Sequence, residues 1–126
     1  MPITIHYDPE QNVLFTDAVG SVSLDDIMSY YFEVERMDLN PQHSVLANFT
    51  EADINLNYDD VSLMASRRRN VFRKADSMKI AVVAKVDFVF GIARMYEALL
   101  SDERFEVKAF RDRAKALQWL GISDVG

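Results

Sequence analysis

The chain contains no cysteine. That removes disulfides, thiolate metal sites, iron–sulfur clusters and cysteine nucleophiles together. Glycine is scarce: Gly20, Gly91, Gly121 and Gly126 are the only four, too far apart to form a loop that cradles phosphate. No G-x-S-x-G elbow occurs, so serine hydrolysis of that type has no support. Only two histidines exist, His6 and His43, without HExxH or His-x-His spacing, and the carboxylates near them reduce to Asp8 and Asp38. Both read as solvated or edge-strand residues rather than metal ligands. The longest strongly apolar run covers residues 80–84, against about 20 residues for a membrane span. Residues 1–8 have neither the basic nor the apolar stretch of a signal peptide. The expectation is a cytoplasmic protein with no membrane span, metal or cofactor.

What remains is an ordinary globular composition. The 126 residues are 49% apolar and 27% charged, and mean hydropathy is −0.09. Collagen-like, low-complexity and disordered chains are excluded. One domain over residues 1–126 is expected, long enough to bury a real core. The net charge of −6 argues against nucleic-acid binding. It is unevenly spread. Residues 1–62 carry twelve acidic side chains and one basic, Arg36, whereas residues 63–126 carry eight acidic and thirteen basic. Pairing between the halves within one compact domain is the simplest reading, and a surface dipole that favours self-association is the other.

Residues 3–7 and 13–19 read as a hairpin around the turn cluster Asp8-Pro9-Glu10-Gln11-Asn12, with Gly20 ending the second strand. Ser23 is positioned to cap a helix carrying Leu24, Ile27, Met28, Tyr31 and Val34, which ends before Asn40-Pro41. Residues 44–49 form an apolar strand interrupted by Asn48, and residues 50–57 a polar loop. Asn57 caps a second helix with Val61, Met64, Ala65 and Phe72 on its buried stripe. Residues 79–84 suit a central strand covered on both faces. Asp87 is expected to cap a third helix with an inner stripe of Phe88, Ile92, Met95, Tyr96 and Leu99. A last strand at 105–110 precedes a helix capped by Asp112 and stopped by Gly121. The order β-β-α-β-α-β-α-β-α implies a mixed, mostly parallel α/β sheet with helices packed on it.

This order, with KIAVVA at 79–84, FGIARMYEA at 90–98, VKAFRD at 107–112 and ALQWLG at 116–121, resembles the STAS domain. More narrowly, it resembles the SpoIIAA-like family of small stand-alone bacterial proteins. The resemblance covers essentially the whole chain, by pattern in the N-terminal half. It implies a STAS-like fold and a regulatory or ligand-binding role, with small or lipid-like ligands. The anti-sigma-factor antagonists of this fold work through a phosphorylated Ser or Thr after an Asp at the start of the second helix. The matching stretch here, Asp53-Ile54-Asn55-Leu56-Asn57-Tyr58, has neither, and Thr50 falls too early. Asp59 and Asp60 would also repel a phosphate.

The acidic pairs Asp25-Asp26 and Asp59-Asp60 sit in first helical turns, where the helix dipole accounts for them without acid–base chemistry. Arg68 is odder. It shares an apolar helix face with Val61, Ala65 and Phe72. It is expected to snorkel to water or pair with a carboxylate of the acidic half; otherwise it holds the anionic head of a ligand. Asn48 must find a hydrogen-bond partner inside its strand. The candidate ligand-binding set at the strand ends is therefore Asn48, Thr50, Asp53, Arg68 and Phe88, since open parallel sheets bind ligands there. The helices carry more aromatic and methionine surface than one stripe each requires, which suggests an apolar pocket or an interface through Tyr30, Phe32, Phe90 and Arg94. The leading reading is a non-enzymatic module that binds a small apolar or lipid-like ligand, or forms a homodimer. The alternative is a regulator of the anti-sigma-antagonist kind that docks on a protein partner without the usual phosphorylation site. A third, an enzyme using Asn48, Asp53 and Arg68, completes the set.

Overall fold

The computed structural model describes residues 2–124. Its elements are β1 (Ile3–Asp8), β2 (Val13–Val22), α1 (Leu24–Arg36), β3 (Ser44–Ile54), α2 (Tyr58–Val71), β4 (Met78–Val83), α3 (Asp87–Leu100), β5 (Phe105–Phe110) and α4 (Arg113–Leu120). The strands form one sheet in the order β1-β2-β3-β4-β5. β1 runs antiparallel to β2, and every other pair is parallel. This is the mixed α/β arrangement that the element order implies.

Three helices start where side chains satisfy the free backbone N–H groups. Ser23 Oγ accepts from Asp26 N at 3.1 Å, and Asp26 Oδ2 accepts from Ser23 N at 2.9 Å. Asn57 and Asp60 repeat that reciprocal pair at 2.8 and 3.1 Å. Asp112 Oδ1 accepts from Ala114 N at 2.8 Å. α3 departs from expectation. Its cap is Val86, which has no capping side chain, and Asp87 is already helical. The Asp87 carboxylate instead takes Arg111 Nη1 at 2.7 Å. Gly121, at φ 70°, ends α4 in the left-handed region where a Cβ would be strained.

Both long strands exceed their expected lengths. β2 continues through Gly20, which has φ 77°, to Val22. β3 runs on to Ile54 and pairs with it, after a register shift between Asp17 and Val19. The stretch that reads as a polar loop alternates instead: Ala52 and Ile54 are buried, while Glu51 and Asp53 face water. One polar face hides the period of two.

Each parallel crossover steps one strand in the same direction, so a common right hand places α1, α2 and α3 on one face. Leu14, Val45, Ile80, Phe105 and Val107 meet them there. The short α4 covers the other face over Val13, Phe15, Leu46, Ala81 and Val83. α3 is rotated from its expected phase by about 70° of helical turn, with Ile92 and Tyr96 common to both stripes. Val89, Ile92, Ala93, Tyr96 and Leu100 face inward, Met95 and Leu99 are half-buried, and Phe88 is 57% exposed.

His43 is fully buried, contrary to the solvated reading. Its Nδ1 bonds the Asn40 carbonyl at 2.6 Å, its ring meets Phe72 edge-on at 5.1 Å, and Nε2 has no partner. Burial, with a smaller push from the nearby Arg68 charge, lowers its pKa below the ordinary 6.5. The folded protein therefore keeps His43 neutral where the unfolded chain would protonate it. Stability conferred this way is complete above about pH 6.5 and declines as pH falls from there toward the lowered folded value. In urea unfolding between pH 7.5 and 5.5, wild type should lose stability and His43→Phe should lose less; parallel curves would refute this. Ser23→Ala and Asn57→Ala should each cost about 1 kcal/mol, seen as a lower urea midpoint at unchanged slope.

Candidate functional site

Between the sheet and the three helices lies a cavity of about 50 Å³. The strands supply Ala47, Phe49 and Ile80 to its wall, and the helices supply Met64, Ile92 and Ala93. Polar-ended side chains interrupt this apolar wall: Thr16 of β2, Tyr30 and Tyr31 of α1, Arg68 of α2 and Tyr96 of α3. Helical spacing explains the convergence. Consecutive Tyr30 and Tyr31 both lie within the arc of α1 that faces the sheet and α2, and both are buried.

Arg68 is 3% exposed. Its Nε donates to Tyr96 Oη at 2.7 Å, and its Nη2 donates to Tyr30 Oη at 3.4 Å. Tyr31 and Tyr96 share a hydroxyl hydrogen bond of 3.1 Å, and Tyr30 shares another of 3.1 Å with Thr16 Oγ1 on β2. The guanidinium carbon sits 5.1 Å from the Tyr31 ring centre, 5.3 Å from Phe72 and 6.0 Å from Tyr30. Such contacts with ring faces are worth about 0.5–2 kcal/mol each, more when dry. Nη1 is buried and has no hydrogen-bond partner. Among the described residues no carboxylate lies within 4 Å of Arg68. The expected snorkelling or ion pairing is therefore absent there, because the side chain turns under α1 and α3 rather than out to water.

Burial disfavours the Arg68 charge, while the phenol oxygens of Tyr96, Tyr31 and Tyr30 favour it, and the group stays protonated. Burial, followed by the Tyr96 hydroxyl, drives the Tyr31 phenol well above its ordinary pKa despite the opposing Arg68 charge. Tyr31 is thus a neutral phenol and cannot act as the counter-ion.

The sequence-derived candidates do not gather around this cavity. Only Arg68 of the ligand set lines it. Asn48 lies on the α4 face, where its Nδ2 donates to Asp17 Oδ1 at 3.0 Å and its Oδ1 accepts from Thr50 N at 3.2 Å. Arg113 of α4 approaches the same Asp17 at 3.7 Å and holds Asp124 at 2.7 Å. Asn48 is thus satisfied by a neighbouring strand. Thr50 is half-buried, Asp53 faces water and Phe88 stands on the outer side of α3. Of the interface candidates, Phe32 is 55% exposed, but Tyr30 is 7% exposed and belongs to the cavity wall. Phe90 is half-buried beneath Arg111, whose guanidinium lies 4.1 Å from the ring centre. Arg94 makes an exposed pair with Glu97 at 3.6 Å. Two ion pairs join the acidic and basic halves, Arg67–Glu35 and Arg113–Asp17. The residues that sequence reasoning missed are Thr16, Tyr31 as a polar group, and Tyr96 as the partner of Arg68. A charge set on an apolar stripe, together with surplus tyrosines, was the available signal.

Among the described residues, no group of three or more His, Asp or Glu side chains could hold a metal ion. Nor is any helix among them long and apolar enough to cross a membrane. No protein-family profile matches the chain, and no curated protein does. Among solved structures it is similar to an uncharacterised protein of the DUF3478 family from Shewanella loihica PV-4, described as having a SpoIIAA-like fold. The two share 22% identity over 94% of this chain and 93% of that one, with a TM-score of 0.62. At that identity the likeness bears on architecture, and the chain has a SpoIIAA-like α/β fold.

Proposed function

We propose that this domain binds a small, largely apolar molecule and performs no chemistry of its own. The observation that carries the reading is the cavity between sheet and helices. Most of its wall is alanine, valine, isoleucine, methionine and phenylalanine, and Thr16, Tyr30, Tyr31, Arg68 and Tyr96 complete it. At about 10–15 Å³ per water-sized group, 50 Å³ has room for about four such groups. Pockets for drug-sized ligands run to several hundred Å³. The space suits a short branched aliphatic group rather than a full acyl chain. Two of its walls belong to different helices, so a ligand there would touch α2 and α3 together.

The competing readings draw less from the same coordinates. An enzyme built on Asn48, Asp53 and Arg68 needs them within reach of one substrate, and they lie on the α4 face, in solvent and in the helical core respectively. The tyrosine hydroxyls are engaged with one another, with Thr16 and with Arg68. A phosphorylation-driven regulator of the anti-sigma-antagonist kind needs a Ser or Thr at the start of α2, where Asn57 and Tyr58 stand. Docking on a protein or on a second copy has Phe32 of α1 and Val86 and Phe88 at the start of α3 to offer.

The test is a titration with isobutanol, followed by amide chemical shifts. Saturable shifts should appear in α1, α2 and α3 and be absent from α4. Ala93→Leu places extra carbons in the void, should remain folded, and should lose the response. If the helical amides do not move in wild type, or if Ala93→Leu responds equally, the cavity is not a binding site.

A further inference from the structure

We infer that the ligand of this cavity carries a single negative charge, and that Arg68 receives it: the site selects a short branched monocarboxylate. This deepens the small-ligand reading and rests on it.

Three observations point the same way. First, Arg68 is a cation held inside the core with no carboxylate within 4 Å among the described residues. Buried charges are ordinarily paired. Second, the hydrogen-bonding of its guanidinium is incomplete. Nε and Nη2 are engaged by phenols, while Nη1, with its two N–H donors, is buried and free. Third, the same side chain is part of the cavity wall, beside apolar groups of three helices and three strands. A carboxylate meeting Arg68 would supply both the missing charge and the missing acceptor, through the charge-assisted bonds a guanidinium makes best. The tyrosine hydroxyls beside it can turn a proton toward the second carboxylate oxygen.

The rest of the wall defines what the carboxylate is attached to. It is aliphatic and aromatic, and the whole cavity holds about four water-sized groups. A carboxylate bearing an isopropyl group therefore fills it from end to end. A phosphate would bring a second charge and no apolar body. The chain's net charge of −6 offers no long-range attraction to an anion. Selection must then be a short-range matter, within a Debye length of about 8 Å.

Isobutyrate, isobutyramide, isobutanol and formate separate the contributions in wild type without relying on any variant. Calorimetry or amide shifts should show isobutyrate binding about tenfold or more tightly than isobutyramide, which has the same shape without the charge. Formate, with the charge but no aliphatic body, should bind more weakly than isobutyrate. Arg68→Met should retain isobutanol binding and lose the preference for acid over amide, and Arg68→Lys should keep part of it. Equal affinity for isobutyrate and isobutyramide would overturn the charge inference while leaving the cavity reading intact. Formate binding as tightly as isobutyrate would also overturn it, by marking Arg68 as a general anion site. Failure of all four molecules to bind would remove both readings.

Discussion

A guanidinium inside the core needs acceptors and a polarisable surround; here tyrosines provide the acceptors, and Phe72 joins them in the surround. Arg68 of α2 reaches Tyr30 of α1 and Tyr96 of α3, Tyr31 bonds Tyr96, and Tyr30 reaches down to Thr16 of the sheet. One side chain thereby ties three helices and a strand at a single point. The arrangement is costly if any member is missing, since a buried polar group left unpaired in a low-dielectric interior loses its solvation without return. Nη1 is already in that condition. The knot specifies how the helices sit relative to one another, and it also leaves them a charge to neutralise.

The topology determines where this happens. A sheet whose parallel strands follow one another in sequence order stacks its crossover helices side by side on one face. The middle helix, α2, then has neighbours on both flanks, and its inner stripe is buried. Arg68 occupies that stripe with Val61, Met64 and Ala65. The tyrosines of α1 and α3 approach it from either side, and their side chains line the cavity together with the small Ala47 and Ala93. On the opposite face, α4 alone covers the sheet, and polar groups there, such as Asn48 and Asp17, are satisfied strand to strand.

Much of the architecture was legible because it is written in local chemistry. Ser23, Asn57 and Asp112 cap helices by the side-chain bonds their residue types favour, and the apolar run near residue 80 is a central strand. The failures have equally local causes. Residues 50–54 alternate in burial, but Thr50, Glu51 and Asp53 mask the alternation as loop polarity. Asp87 resembles a cap yet binds Arg111 across from β5, a contact 24 residues distant that no window detects. Phe88, the next residue, stands outward on α3. The candidate site was half legible for the same reason. Arg68 stood out because a charge on an apolar stripe is a local anomaly. Its partners could not be named, because Tyr30 and Tyr96 lie 38 and 28 residues away. Their convergence is a product of the fold.

The placement of this cation also bears on what an arginine offers at this position. Replacing buried ionic groups with well-packed apolar ones is often neutral or stabilising. Stability alone therefore gives little reason for a guanidinium between Tyr31 and Phe72, where a methionine would fill similar space. Lysine would also be a poor equivalent, because its compact, strongly hydrated ammonium lacks the rigid planar fork that meets Tyr96 through Nε and Tyr30 through Nη2. The planar, forked group is suited to two phenols on one side and a further acceptor on the other. An acceptor that arrives with its own negative charge and an aliphatic body would satisfy at once the unpaired donor, the uncompensated charge and the unfilled space.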